Sequence, residues 1–529
     1  MSWIIRSARR QDARLLTGGQ PVPQTPDAPH VVVIGAGFGG LAAAVRLLVR
    51  GYRVTVVDRL EQPGGRARVF ETEGYKFDAG PTLITAPFLF DELWSIAGER
   101  REDHVEVVPI SPFYRIRFDS GEVFNYTGNA EAMRAEIARF NPGDVAGYER
   151  FLEKSEEIFE VGFTELGHVP FASPLDMARI APAMIALESY RTVYSLVSKY
   201  IKDPRLRQVF SFHPLLVGGN PFSTTSIYTL IAFLERKWGV WYAMGGTGAL
   251  VKGIADLVSR LGGTFRLGEI VEEVTIDPDG TRPRATGVLL DSGEIIEADM
   301  VVSNADAAWT YRKLVKEKYR RHWTNARLDR AKLSMSLFVW YFGTKQTYPD
   351  VAHHTILLGP RYKELLDDIF RKHHLSEDFS LYLHRPTATD PSMAPAGHDA
   401  FYVLSPVPHL DSGTDWAVEN ERYRKAIQEY LEATVMPGLG ENLTASVTLN
   451  PQGFLDDYLS IKGAAFSFEP VLTQSAYFRP HNASEDVEGL FLVGGGTHPG
   501  AGMPGVLSSA RVLDTIVPDV MDFRHDGTR

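Results

Sequence analysis

Two glycine-rich turns, one near each end of the chain, carry the residue types that chemistry on a phosphate-bearing ligand requires. The first is Gly35-Ala36-Gly37-Phe38-Gly39-Gly40, which follows the β-branched run Val31–Ile34 and precedes the small-residue stretch Leu41–Ala44. In a strand–turn–helix context Gly35 permits the tight turn, Gly37 lets backbone approach a pyrophosphate, and Gly40 permits close helix–strand packing. A second β-branched run, Arg53–Val57, delivers Asp58, a carboxylate placed to accept hydrogen bonds from a ribose, with Arg59 beside it. The other turn spans Gly494 to Gly505, between apolar Leu490–Val493 and a helix-like start at Val506–Ala510. There Gly495, Gly496, Met503 and Gly505 are expected to aim backbone N–H groups at an anion or an electron-rich ring edge, with Pro504, which has no N–H, lining the same cofactor site at the helix start. Both ends of the chain are predicted to meet around one ligand.

The residues after Asp58 decide which dinucleotide that is. Gly64-Gly65-Arg66 supplies a further glycine turn and a cation, and Ala79-Gly80-Pro81-Thr82 supplies another small-residue turn. A nicotinamide dehydrogenase has no use for these elements, whereas FAD is longer and must be held along its extended length. FAD is therefore the expected cofactor. Gly500-Ala501-Gly502-Met503-Pro504-Gly505 is a literal GxGxxG and invites a second, nicotinamide-binding reading. Pro499 and Pro504 disturb that turn, and no second βαβ crossover follows. The block reads better as a helix start facing the flavin, where N–H groups and the helix dipole stabilise negative charge at the ring. Reoxidation would then fall to dioxygen, a quinone or another acceptor.

Few titratable residues stand in apolar surroundings. Asp176 and Arg179 lie three apart in Leu175-Asp176-Met177-Ala178-Arg179-Ile180, so on a helix they share a face. As an acid–base pair Asp176 would take a proton and Arg179 would orient it; the same spacing suits a surface ion pair or an N-terminal carboxylate favoured by the helix dipole. His213, between Phe212 and Pro214, is the other candidate base, with a satisfied core histidine as its plainer fate. His498 falls inside the terminal glycine block, where it would shape the flavin pocket. The pairs His353-His354 and His373-His374 have no carboxylate or third histidine at a recognisable ligand spacing, so solvated or structural histidines are expected rather than a metal site.

The elements that must position these residues follow from pattern and composition. At 529 residues the chain exceeds one hydrophobic core, so several substructures are expected. With no cysteine, disulfides, iron–sulfur clusters and thiolate nucleophiles are excluded. A net charge of −11 argues against non-specific nucleic-acid binding. Residues 1–28, with Arg6, Arg9, Arg10 and Arg14 and a proline-rich lead-in, read as a tail. The expected fold class is α/β. A discontinuous Rossmann-like FAD-binding domain takes 29–110, 242–320 and 484–520. A mixed-sheet substrate domain takes 111–140 and 321–483, and a helical, membrane-facing subdomain takes 141–241. Ile227–Leu234 is too short for a membrane span, so a cytoplasmic protein with peripheral membrane contact is expected.

The chain resembles the FAD-dependent amine oxidase and phytoene desaturase superfamily. Ser211–Phe222, Ala465–Pro470, Gln474–Asn482 and Gly494–Gly505 look like bacterial-type phytoene desaturases, and the similarity runs from about Val31 to Ala510. The resemblance implies backbone near Val274 against the adenine, and a carboxylate and arginine near the reacting carbons. It implies stepwise desaturation of phytoene to neurosporene or lycopene, by hydride transfer to the flavin and loss of a proton. Two other activities fit the same pattern: oxidation of a different carotenoid or squalene-derived chain, and non-catalytic isoprenoid carriage on a flavin fold. A polyisoprene offers no polar handle, so recognition must come from apolar area, about 0.8 kcal/mol per buried CH₂. The stretch holding Phe163, Phe171, Met177, Ile180 and Met184 would line such a site.

Overall fold

The computed structural model describes residues 22–523. Its organising sheet is five parallel strands in the order Leu490–Leu492, Met300–Ser303, His30–Ile34, Arg53–Asp58, Thr264–Leu267. Val32 pairs with Val301 on one side and Thr55 on the other, and Val301 pairs in turn with Leu490. Such near-continuous apolar runs suit strands covered on both faces. Helix Phe38–Val49, whose residues are all buried, covers one face beside Thr247–Arg260 and Met503–Ile516. The antiparallel strands Val271–Asp277, Arg284–Leu290 and Ile295–Glu297 cover the other through Val274, Val288 and Leu290. The sheet thus draws strands from the two ends and the middle of the chain.

A second, mixed sheet has seven strands, ordered Leu443–Leu449, Ser336–Thr344, Asp399–Val407, Leu381–His384, His354–Leu357, Tyr114–Arg117, Val123–Tyr126. Ser336–Thr344 is buried at every position, because strands flank it on both sides and other elements cover both faces. Helices Val145–Phe159, Pro174–Ala186, Val193–Tyr200, Pro204–Ser211 and Leu230–Trp238 form the region that follows strand Val123–Tyr126 and precedes strand Thr264–Leu267 in sequence. Helix Pro174–Ala186 buries no residue fully, which sets it apart from the others.

One expectation changes here and another narrows. Of the tail read over residues 1–28, residues 1–21 lie outside the described part, and residues 22–28 are tied down. Val22 donates to the Val49 carbonyl (3.0 Å), Gln24 Nε2 donates to the Leu261 carbonyl (2.7 Å), and Ala28 is buried. The proline-rich composition concealed these contacts because they are made to residues distant in sequence. For His353 and His354, burial removes the solvated alternative and leaves the structural one: both are buried where the strand His354–Leu357 begins.

Candidate active site

The first glycine turn is built as its spacing predicts. Gly35, at φ +94°, donates to the Val57 carbonyl (2.7 Å), and Gly37 is the N-cap of helix Phe38–Val49. A Cβ on Gly40 would stand 1.9 Å from the Gly35 carbonyl oxygen, so only glycine lets helix and strand approach this closely. The terminal turn repeats the device: a Cβ on Gly505 would stand 2.5 Å from the Gly500 carbonyl oxygen, and Gly502 caps helix Met503–Ile516. Two helix N-termini therefore open toward one space.

Asn304, which the sequence reading passed over, joins the two turns. Its side chain amide donates to the Gly35 carbonyl (3.4 Å), and its Oδ1 would lie 2.8 Å from a Cβ on Gly494. It follows strand Met300–Ser303 in the middle of the parallel sheet, so only the strand order reveals it. Ser509 and Asn482 complete the terminal turn. Ser509 Oγ accepts from Gly494 N–H (2.7 Å), and Asn482 Nδ2 donates to the His498 carbonyl (3.0 Å).

A cavity of about 590 Å³ runs from Gly37 and Asp58 past Arg66 and Pro81–Thr82 to the Gly494–Val506 turn. Asp58 accepts from Ala36 N–H (2.6 Å) on one oxygen and Leu60 N–H (2.8 Å) on the other. Burial raises its pKa, and these two N–H groups act against that rise. A carboxylate accepts about four hydrogen bonds, so capacity for ribose hydroxyls remains. Arg59 also lines the cavity and donates to the Asp456 and Asp457 carbonyls. Gly65 opens the short turn containing Arg66, whose guanidinium donates to the Ala465 carbonyl (2.6 Å) and to Ser460 Oγ. Burial lowers the pKa of Arg66, with Asp306 opposing that shift, and raises that of Asp306, with Arg66 among the groups opposing it. Thr82 Oγ1 bonds the hydroxyls of Tyr402 (2.9 Å) and Tyr382 (3.1 Å). Gly495, Gly496, Met503, Pro504 and Gly505 form the opposite wall.

Beyond these polar turns the wall becomes apolar. Phe163, Phe171, Met177, Ile180 and Met184 line it, with Phe212, Leu215, Ile231 and Leu234 from neighbouring helices. Glu235 is the carboxylate of this apolar stretch. It is fully buried, accepts from the Tyr114 hydroxyl (2.5 Å) and meets His213 Nε2 at 3.1 Å. Burial pushes His498 down to about 4, so its ring is neutral; Nε2 lies 3.1 Å from the Leu166 carbonyl.

Three sequence expectations land elsewhere. Asp176 and Arg179 do not line the cavity, although Met177 and Ile180 of the same helix do. Asp176 forms a capping box with Ser173, and Arg179 is exposed at 3.6 Å from it, so the helix-capping and surface-pair reading holds. His213 does not line the cavity; it stacks on Phe212 and meets Glu235, both of which do. Val274 is wholly buried against Val288 and Leu290, and Glu269, Ile270 and Val271 line the cavity instead. The register explains the offset: the strand's inward-facing residues serve the sheet core, and its entry faces the cavity.

The glycine cradles, ribose-facing carboxylate and extended cavity define a dinucleotide-dependent oxidoreductase, and its parts fit a cofactor as long as FAD. The chain belongs to the flavin containing amine oxidoreductase family, whose description matches residues 38–512. It is 48% identical over 506 residues to a neurosporene-forming phytoene desaturase of Cereibacter sphaeroides, covering 95% of this chain and 97% of that one. It is 50% identical over 494 residues to a lycopene-forming phytoene desaturase of a Paracoccus strain, covering 93% and 98%. Its fold is shared with cyclohexylamine oxidase from Brevibacterium oxydans, at TM-score 0.60 and 16% identity over 94% of this chain and 100% of that one. FAD is the cofactor of this enzyme.

Proposed function

We propose that this chain is an FAD-dependent phytoene desaturase of carotenoid synthesis, with neurosporene or lycopene as its product. The observation that carries the reading is the cavity itself, which joins a dinucleotide cradle to an apolar wall interrupted by one buried carboxylate, Glu235. An acyclic polyene can be held there by apolar contact alone, at about 0.8 kcal/mol per CH₂ removed from water. When bound, FAD supplies the acceptor for the hydride that leaves one carbon of the bond being oxidised.

The chain's own residues have three tasks. Gly37, Asp58, Arg59 and Arg66 hold the phosphate and ribose half, while Gly495, Gly496, Met503, Pro504 and Gly505 hold the ring half. Met177, Ile180, Phe212 and Leu234 exclude water and orient the polyene. Glu235 receives the proton lost from the adjacent carbon at Oε2 and shares it with His213, which replaces Asp176 in that role. The sequence pair Asp176–Arg179 supports the helix instead.

Access for so insoluble a substrate requires a lipid surface. Leu175 (57% exposed), Ile185 (66%) and Tyr190 (63%) stand out from the helical region, and Leu472 and Phe478 are exposed near the same cavity. Among the described residues, no helix is long and apolar enough to cross a membrane. These side chains are read as a peripheral contact that delivers substrate to the cavity. Dioxygen or a quinone is the proposed electron acceptor.

The test is product chromatography after supplying phytoene in liposomes. Neurosporene or lycopene is expected; unchanged phytoene together with turnover of a different carotenoid would refute the assignment.

A further inference from the structure

Among the described residues Arg479 is the largest charged side chain closed inside the fold, and it stands behind the terminal glycine turn. It belongs to the Gln474–Asn482 stretch, follows the short turn Ala476–Phe478 and is 1% exposed. Its Nη2 donates to the carbonyls of Gly495 (2.9 Å) and Phe468 (3.1 Å), whereas Nε and Nη1 have no hydrogen-bond partner. Nη1 lies 3.6 Å from the position a Cβ on Gly500 would take, so the guanidinium is close to both limbs of the bend from Gly495 to Gly500. Gly495, Gly496 and Ala501 line the cavity and Arg479 does not, so it reaches the turn from behind.

This cation lacks a counter-ion of its own. Burial lowers its pKa, with Tyr228 and Asp306 opposing that shift. Asp306 is engaged elsewhere: it accepts from Trp309 N–H (3.0 Å) and faces Arg66 as well. One carboxylate thus answers two buried guanidiniums, and the neighbouring His498 is neutral. Burying a cation without a paired anion is costly, so the turn favours a ligand that brings negative charge.

The Gly495 carbonyl belongs to the same trans peptide unit as the Gly496 N–H, and the two point in opposite directions. Among the described residues neither the Gly495 nor the Gly496 N–H meets an acceptor. A guanidinium on the carbonyl polarises the peptide and strengthens its N–H as a donor. Gly496 then presents the donor, and Arg479 is the charge behind it.

We infer that Arg479 is a positioning residue that raises the electron affinity of the flavin, through the Gly495–Gly496 peptide and through its own uncompensated charge. The inference rests on the proposed reading that the terminal turn holds the ring half of FAD. In desaturation the substrate loses a hydride to the ring and a proton to Glu235, and a carbon–carbon double bond forms. The hydride carries two electrons and one proton, so one negative charge reaches the ring. Arg479 stabilises that charge in a dry site, where such fields are strong. A polyene without polar groups has no means of supplying the same stabilisation.

The experiment measures the midpoint potential of the bound flavin against a reference dye in the wild type, Arg479→Lys and Arg479→Gln. Gln still donates to a carbonyl but carries no charge. At a fixed potential the ratio of reduced to oxidised flavin should fall about tenfold or more in Arg479→Gln, a shift of about 30 mV for a two-electron couple, and less in Arg479→Lys. A wild-type potential in Arg479→Gln, or equal falls in both variants, would overturn the assignment. Asp306→Asn keeps a side chain able to cap Trp309 and removes the opposing charge, so it should raise the potential. It decides should Arg479→Gln not hold flavin, since an unraised potential there also overturns the assignment. Ala501→Asp puts a carboxylate on the cavity-lining wall of the turn and tests whether the ring lies there. An unshifted potential in Ala501→Asp removes the ring from this turn and the inference with it. A lowered one, beside a wild-type value in Arg479→Gln, keeps the ring in place and overturns Arg479 alone.

Discussion

The Glu235 carboxylate and the His213 imidazole meet at 3.1 Å with both side chains closed off from solvent, at the wall of an otherwise apolar stretch of cavity. The Tyr114 hydroxyl holds the second oxygen of Glu235, so the carboxylate is fixed in orientation. A positioned base of this kind accounts for roughly 10²–10⁴ in rate. Glu235→Gln keeps the shape and removes the base, so desaturation should slow by about 100-fold or more while flavin content stays at wild-type level. Single-turnover bleaching of the flavin by phytoene measures it directly, and an unchanged rate would move proton removal to water or another group.

Asp176→Asn separates this account from the one its sequence context suggests. In the structure Asp176 reciprocates the Ser173 cap at the start of helix Pro174–Ala186. Loss of a whole cap costs about 1 kcal/mol; with the Ser173 cap still in place, weakening the Asp176 half of the box costs less, and the effect is confined to a helix with no fully buried residue. Turnover should remain near wild type while proteolysis within 166–186 becomes faster; a large fall in turnover would restore Asp176 as the base.

The difference between these two acids shows what the sequence carries and what it hides. Local signals were legible: the glycines at 35, 37 and 40 and the carboxylate of Asp58 all appear where local chemistry requires them. Asn304 and Glu235 were not legible, because each acquires its partners far along the chain. Glu235 sits in Leu230–Trp238 beside Arg236 and Lys237, a context that reads as an ordinary charged helix end. Tyr114 and His213, which make it a buried site, come from a strand and a short turn in other parts of the fold. The offset at Val274 has a subtler reason: which residue of its strand faces the cavity depends on the sheet packed behind it.

Gly37 and Gly40 should fail differently when enlarged. A Cβ on Gly37 meets only the Asn304 side chain amide within 3.5 Å, so Gly37→Val should fold and yet obstruct the pyrophosphate position. A Cβ on Gly40 collides with the Gly35 carbonyl at 1.9 Å, so Gly40→Val should lose stability as well as flavin. Flavin absorbance alongside thermal unfolding of each variant distinguishes the two. Stoichiometric flavin in Gly37→Val would remove the pyrophosphate from that turn.

Buried His498 makes stability fall in mild acid. Its folded value of about 4 lies below the ordinary 6.5, so between those pH values the unfolded chain binds more protons than the folded one. Its full contribution is present above pH 6.5, falls away as pH drops towards 4, and amounts to roughly 3 kcal/mol over that window. His409, also held near 4, adds the same sign. Replacing His498 with Gln should flatten the acid limb without steepening it above pH 7, as read from urea midpoints at pH 7 and 5.

The proposed membrane contact rests on a patch that can be removed without touching the cavity. Leu175, Ile185 and Tyr190 are exposed, whereas Met177, Ile180 and Met184 of the same region face inward. Burying an aliphatic or aromatic side chain completely is worth about 1.5–3 kcal/mol, and an interface captures part of that for each residue. Arg179, more than half exposed on the same helix, adds attraction to anionic headgroups that salt would screen. Replacing all three apolar residues with Ser should weaken binding to vesicles containing anionic lipid by about tenfold or more, a change of 1.4 kcal/mol or greater. Phytoene already dissolved in detergent micelles should still be desaturated, because the cavity wall is intact. Sedimentation with vesicles reads the first expectation and product chromatography the second. Equal vesicle binding by the triple variant and the wild type would exclude this patch as the membrane contact.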